Sequence, residues 1–206
     1  MNRREFLQCA AVLVSGATAS GLGFALSHEQ HAYLATAPDY ASRPVDIFSG
    51  EQRRILAALA ETIIPRTDTP GAIDAGVPRF IEVMVAEWFN DQERAIFEDG
   101  LKDMEARIPT EFGKPFHQLS GEQQIAILEA MEEAASDSPW YSRNNAQMGY
   151  ISDVPFICHL KELTAWGFFT SQLGCQQVLR DDIMPMRFDG DVPRDPDDSA
   201  WAHYRF

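Results

Sequence analysis

The chain has 206 residues, a formal net charge of −14 and only three cysteines. That length suits a single domain beside any leader. The acid excess argues against nucleic acid and against an anionic membrane surface, both of which need clustered Lys and Arg, and so few cysteines exclude a disulfide scaffold.

The first element is a leader. Arg3-Arg4-Glu5-Phe6-Leu7 precedes an apolar stretch from Cys9 to Leu26, the layout of a bacterial secretory signal over residues 1–27. Arg3, Arg4, Phe6 and Leu7 resemble the core of twin-arginine signals, a class that implies export of folded cargo, often with a cofactor or partner taken up in the cytoplasm. Ser15, Gly16, Thr18, Ser20, Gly21 and Gly23 argue against the alternative of a retained spanning helix. Cleavage fits after Ser27 and also after Ala19. Cys9 opens the apolar stretch, whereas a lipid-modified cysteine would close it.

Residues 28–47, with Pro38 and Pro44, hold no sustained period and read as a linker or surface arm. The helical domain over residues 48–184 then begins. Ser49 and Gln52 form a capping box, and Ile55, Leu56, Leu59 and Ile63 recur at helical spacing until Pro65 stops the helix. The stretch from Pro65 to Gly76 is a tight connection. There Gly71 and Gly76 are expected to supply backbone angles closed to other residues, while Thr67, Asp68 and Thr69 satisfy turn amides. The alternative is that Thr67 and Asp68 contact a partner.

Pro78 suits the first turn of a second helix, with Phe80, Ile81, Met84, Val85 and Trp88 on one side. Asn90 or Asp91 caps a third, whose Phe97, Leu101, Met104 and Ile108 precede an end at Pro109. Ser120 and Gln123 repeat the capping box before Ile125, Leu128 and Met131. Residues 136–152 form a long connection, which points to a role. Asp153 and Pro155 start a fifth helix running to about Leu173, with Gly174 as a left-handed cap. An irregular tail over residues 185–206 follows. No alternating strand occurs, so the expected class is all-α, an irregular bundle of about five helices.

The fifth helix is apolar on two sides. Phe156, Leu160, Leu163 and Gly167 make one stripe, with Gly167 admitting a close neighbour; Cys158, Ala165, Trp166, Phe169 and Leu173 make another, with Glu162 among them. The second stripe is either further core or a partner surface anchored by Trp166 and Phe169. A continuous helix would hold Cys158 and Cys175 on the order of 25 Å apart, too far to bridge. Cys175, just past the helix end, is then the better candidate for a bond to a partner; the alternative is a pair of unbonded thiols.

Catalytic signatures are missing. No glycine-rich nucleotide motif follows a strand, and neither covalent haem nor a four-thiolate iron–sulfur cluster has its cysteines. His28, His31, His117, His159 and His203 form no spaced metal pair. Glu129, Glu132, Glu133, Asp181 and Asp182 read as solvated faces. The expectation is a chain with no catalytic, cofactor or metal residues of its own.

Three ordered segments carry a resemblance. Glu61-Thr62-Ile63-Ile64-Pro65-Arg66-Thr67-Asp68-Thr69-Pro70-Gly71-Ala72, continuing to Ala75-Gly76-Val77, resembles the most recognisable motif of the gluconate 2-dehydrogenase subunit 3 family. Gly113-Lys114-Pro115-Phe116 before Leu119-Ser120, and Leu160-Lys161-Glu162-Leu163-Thr164 before Gly167-Phe168-Phe169-Thr170-Ser171, follow in the family's order, although Phe168-Phe169 stand where tyrosine is common. The resemblance implies a non-catalytic small subunit of a membrane-associated sugar or sugar-acid dehydrogenase in the periplasm. It implies FAD in a large partner subunit, haem c in a third, and a small subunit that assists the flavoprotein's maturation and supplies its export signal to the twin-arginine translocase. The competing expectation is a stand-alone periplasmic binding protein or enzyme.

Overall fold

A computed structural model describes residues 45–141, 153–179 and 198–200, all within the unit Pro44–Phe206. The described residues form five α-helices: α1 (Gly50–Ile63), α2 (Val77–Glu87), α3 (Asp91–Phe112), α4 (Gly121–Ala134) and α5 (Phe156–Phe169). A 3-10 turn, Phe116–Gln118, joins α3 to α4, and a π turn, Gly174–Val178, follows α5. There is no strand among the described residues, and the all-α expectation holds. Arg3, Arg4, Phe6 and Leu7, most of the arm, and the tail apart from residues 198–200 lie outside the described residues.

The helix starts follow from their caps. Ser49 Oγ accepts the amide of Gln52 at 3.1 Å while the Gln52 side chain accepts that of Ser49 at 3.0 Å. The same reciprocal pair joins Ser120 and Gln123. At α3 the capping residue is Asn90, not Asp91: its Oδ1 accepts from Gln92 and Glu93, both at 2.9 Å. Each box satisfies amides that the first turn leaves without a partner.

Two expected helix ends fall elsewhere. Pro109 lies inside α3, which continues to Phe112 and stops at Gly113 in the left-handed conformation. One proline so near the end removes a single ladder bond. Buried Ile108 anchors the turn, and Thr110 Oγ1 donates to the Ala106 carbonyl at 3.0 Å. In the fifth helix the end comes at Phe169 rather than Leu173. There the carbonyls of Trp166 and Phe168 accept the Thr170 and Ser171 amides at 3.0 and 3.1 Å and also the hydroxyls of the same two residues, each at 2.7 Å, which closes the last turn. Gly174 is not a left-handed cap, since Gly76 and Gly113 are the described glycines with positive φ. Its need is space: a Cβ there would lie 2.0 Å from the Phe168 carbonyl oxygen.

Helices α1 and α5 each pack against every other α-helix, so the core forms around them. Phe97 of α3 is its aromatic centre, 6.0 Å from Phe48, 6.1 Å from Phe89 and 5.0 Å from Phe156 between ring centroids. The first stripe of α5 is buried as expected, and Gly167 receives the Phe80 ring of α2. Two apolar residues that the spacing assigns to core faces are instead exposed, Trp88 at the end of α2 and Ile125 in α4. In α4 it is Ile127 and Leu128 that turn inward.

A charged cluster fixes the base of the arm. Glu82, 3% exposed, accepts from Arg53 Nη2 and Arg79 Nη1, each at 2.8 Å. Arg53 also pairs with Asp46, and Arg79 donates to the Val45 carbonyl at 2.9 Å. Burial pushes the Glu82 carboxyl up, but the hydrogen bonds from Arg53 and then Arg79 outweigh it and hold the group below the usual carboxylate range.

Candidate functional site

The connection over residues 65–76 is built around Glu61, in the last turn of α1. Its Oε1 accepts the Arg66 amide at 2.9 Å and its Oε2 accepts the Ile73 amide at 2.8 Å, so one carboxylate ties together both limbs of the loop. Arg66 Nε pairs with Asp74 at 3.0 Å, and the Ala72 amide donates to the Ile64 carbonyl at 2.9 Å. Gly76 has φ of 73°, as its place in the connection requires. Gly71 differs from the expectation. Its constraint is proximity, because a Cβ there would lie 2.2 Å from Glu61 Oε1 and 2.7 Å from the Arg66 nitrogen.

This loop forms one rim of a groove of about 560 Å³. Ile63, Ile64 and Thr69 line one side; Lys161, Glu162, Ala165, Phe168 and Phe169 of α5 line another; Trp140 and Val178 complete it. Its walls are mainly hydrocarbon, with a small set of polar groups. Trp140 Nε1 donates to Glu162 Oε2 at 3.2 Å. Lys161 Nζ pairs with Glu132 at 2.8 Å and lies 5.6 Å from the Trp140 ring and 5.5 Å from the Tyr141 ring, within range of cation–π attraction.

Beyond the groove, α5 turns outward. The helix is buried nearly all round from Phe156 to Leu160, but Trp166 is 47% and Phe169 43% exposed. The second stripe therefore divides: Cys158 belongs to the core, and the aromatic pair belongs to the surface. Leu173 is half-buried. Cys175 is half-buried as well, and its thiol donates to the Phe169 carbonyl at 3.0 Å. Both cysteines are free, separated by the break at Thr170 rather than by a continuous helix.

Two titrating groups near α5 are shifted by burial. Burial pushes the Cys158 thiol up, opposed in part by the Ser138 and Tyr141 hydroxyls, and leaves it a neutral thiol and a poor nucleophile. Burial likewise pushes Tyr141 up to about 12. Among the described residues, no three His, Cys, Asp or Glu side chains gather as a metal site, and no helix is long and apolar enough to cross a membrane.

The structure thus brings Thr69 of the loop and Ala165 and Phe169 of the second stripe to one groove, whereas Thr67, Asp68, Trp166, Leu173 and Cys175 do not line it. Thr67 and Asp68 are exposed on the loop beside Thr69, with Thr69 and Phe169 both in the groove wall. Thr67 does serve the turn, since its amide donates to the Thr69 carbonyl at 3.0 Å. Asp68 makes no side-chain hydrogen bond among the described residues. Sequence reasoning gave Glu61, Trp140, Lys161 and Glu162 no role at a site. The signal for the last two was present as a charged pair interrupting an apolar helix, and for Trp140 as a large aromatic in a long connection.

The family model described as gluconate 2-dehydrogenase subunit 3 matches residues 50–185, from the start of α1 past the π turn. No curated protein matches the chain. No solved structure matches it either.

Proposed function

Because the chain belongs to the gluconate 2-dehydrogenase subunit 3 family, we propose that it is the non-catalytic small subunit of a periplasmic FAD-dependent sugar or sugar-acid dehydrogenase. It binds the large flavoprotein in the cytoplasm, assists its maturation and lends it the twin-arginine signal carried by Arg3, Arg4, Phe6 and Leu7. It then stays in the complex, membrane-associated through its partners, while a cytochrome c subunit takes the electrons. The observation that carries this reading is the aromatic face at Trp166 and Phe169, exposed beside an apolar groove. Aromatic anchors next to a groove are what stable association uses.

The experiment is export. With both Arg3 and Arg4 changed to Lys, the subunit and its flavoprotein should remain together in the cytoplasm, and periplasmic dehydrogenase activity should be lost. Normal periplasmic activity in that variant would refute the escort role. Isolation of the native chain without a flavin-containing partner would refute the subunit role itself.

A further inference from the structure

We propose that the groove between the 65–76 loop and α5 receives an apolar segment of the dehydrogenase partner bearing a cationic side chain, which is met by Glu162. This rests on the reading of the chain as a dehydrogenase subunit. The groove is an open trough rather than an enclosed cavity, and pockets for small molecules bury most of their ligand. A trough walled by Ile63, Ile64, Phe168 and Phe169 fits side chains presented on another polypeptide.

The charge of the occupant follows from what is already neutralised. Lys161 is paired with Glu132 at 2.8 Å. Arg66, on the loop, is paired with Asp74 at 3.0 Å. Both oxygens of Glu61 are occupied by backbone amides. Glu162 differs: Oε2 accepts from Trp140, and Oε1 makes no hydrogen bond among the described residues. Asp68, one residue from the groove wall at Thr69, is exposed and forms no ion pair there. Among the described residues the uncompensated charge at the groove is therefore negative, in a chain of net charge −14. A lysine or arginine entering beside the apolar contacts is favoured, and an acidic segment is rejected.

The test uses the full chain with the dehydrogenase subunit coexpressed from the same host. With Val178, on the groove rim, replaced by the photo-crosslinking residue p-benzoylphenylalanine, irradiation should join it to a dehydrogenase peptide containing Lys or Arg. The dissociation constant for the purified dehydrogenase subunit should rise several-fold in Glu162→Gln, whose amide oxygen can still accept from Trp140. It should rise at least tenfold in Glu162→Lys. Should the lysine variant fail to fold, the glutamine variant and the crosslink decide. A complex that forms normally but crosslinks this chain to itself, to a peptide without a basic residue, or to nothing would overturn the inference and leave the subunit reading standing. So would undiminished affinity in Glu162→Gln. A wild-type chain that binds no dehydrogenase subunit overturns both.

Discussion

Glu61 and Ile73 lie twelve positions apart in the chain and are joined by a carboxylate oxygen accepting an amide at 2.8 Å. The other oxygen holds Arg66 at 2.9 Å, so the loop's path is dictated by one side chain of the preceding helix. Glu61→Ala leaves two amides to water or to nothing. Hydrogen bonds to a charged group contribute roughly 1.5–3 kcal/mol each when buried, and these are partly exposed. The expected loss is about 2 kcal/mol in all, or on the order of 5 °C in Tm for a domain of this size. Gly71→Ala should cost a similar amount by displacing the same carboxylate. Thermal melts of the two variants and of the double variant decide it: effects that add fully would mean Gly71 does not act through Glu61.

Replacing both Thr67 and Asp68 with Ala separates the loop's two roles. Both side chains are exposed, and the Thr67 hydroxyl contacts the Thr69 amide only at 3.5 Å, the outer limit of a hydrogen bond. Stability should change by less than about 0.5 kcal/mol. If the loop touches the dehydrogenase partner, affinity for that subunit falls in the same variant. A lowered melting temperature would return the two residues to a structural role.

The Glu82 cluster gives a pH dependence of defined sign. Its carboxyl is held below the ordinary value of 4.5 in the folded chain, so on acidification the unfolded chain takes up this proton first. The stabilisation is complete above pH 4.5 and is lost as pH falls through the depressed folded value. Glu82→Gln should therefore be less stable than the wild type at neutral pH, by at most about 3 kcal/mol. That is the low end for a broken buried pair, because Arg53 is 40% exposed and screened by water. The gap should narrow as pH falls below 4.5. Urea midpoints at pH 7 and pH 3.5 measure it, and a gap that widens in acid would contradict the assignment.

How far the sequence reveals this fold depends on how local each cause is. Ser49–Gln52 and Ser120–Gln123 are complete within four residues, and the sequence predicts both helix starts. The buried stripes at Phe97, Leu101, Met104 and Ile108, and at Phe156, Leu160 and Leu163, follow from spacing alone. Pro109 misleads because its cost depends on how much helix lies beyond it. The end at Phe169 falls where Thr170 and Ser171 turn both amide and hydroxyl back on the helix, a choice their composition permits but does not compel. Glu61, Arg53 and Glu82 act across the fold, and no periodicity announces a carboxylate that binds backbone twelve residues away. The exposure of Trp166 and Phe169 is likewise a tertiary outcome: the stripe is legible, and which half of it other helices cover is not.

The two cysteines should report on the same region. Cys158 is fully buried, with its thiol pushed up, whereas Cys175 is half-buried beside the Phe169 carbonyl. Alkylation of the native subunit should modify Cys175 at least about tenfold faster than Cys158, since burial both shuts Cys158 away and pushes its thiol up, and urea should abolish the difference. Protection of Cys175 on adding the dehydrogenase subunit would place the contact at the end of α5. A bond between Cys175 and that subunit would appear in a non-reduced peptide map as a mixed disulfide.

The last prediction weighs the aromatic pair against the core beneath it. Phe169→Asp and Trp166→Ala alter side chains nearly half exposed, so the isolated subunit should stay helical and shift in stability by no more than about 0.5 kcal/mol. Leu163→Ala, one turn earlier and 1% exposed, empties part of the core and should cost about 2–5 kcal/mol. Binding should reverse the order. Each surface substitution removes an anchor worth about 2 kcal/mol or more in a partner interface, roughly thirtyfold in the dissociation constant, while Leu163→Ala acts on affinity only through the fraction folded. Paired measurements of chemical unfolding and affinity for the dehydrogenase subunit separate the two. Misfolding of Phe169→Asp would assign the residue to the core after all, and unchanged affinity in both surface variants would remove this end of α5 from the interface.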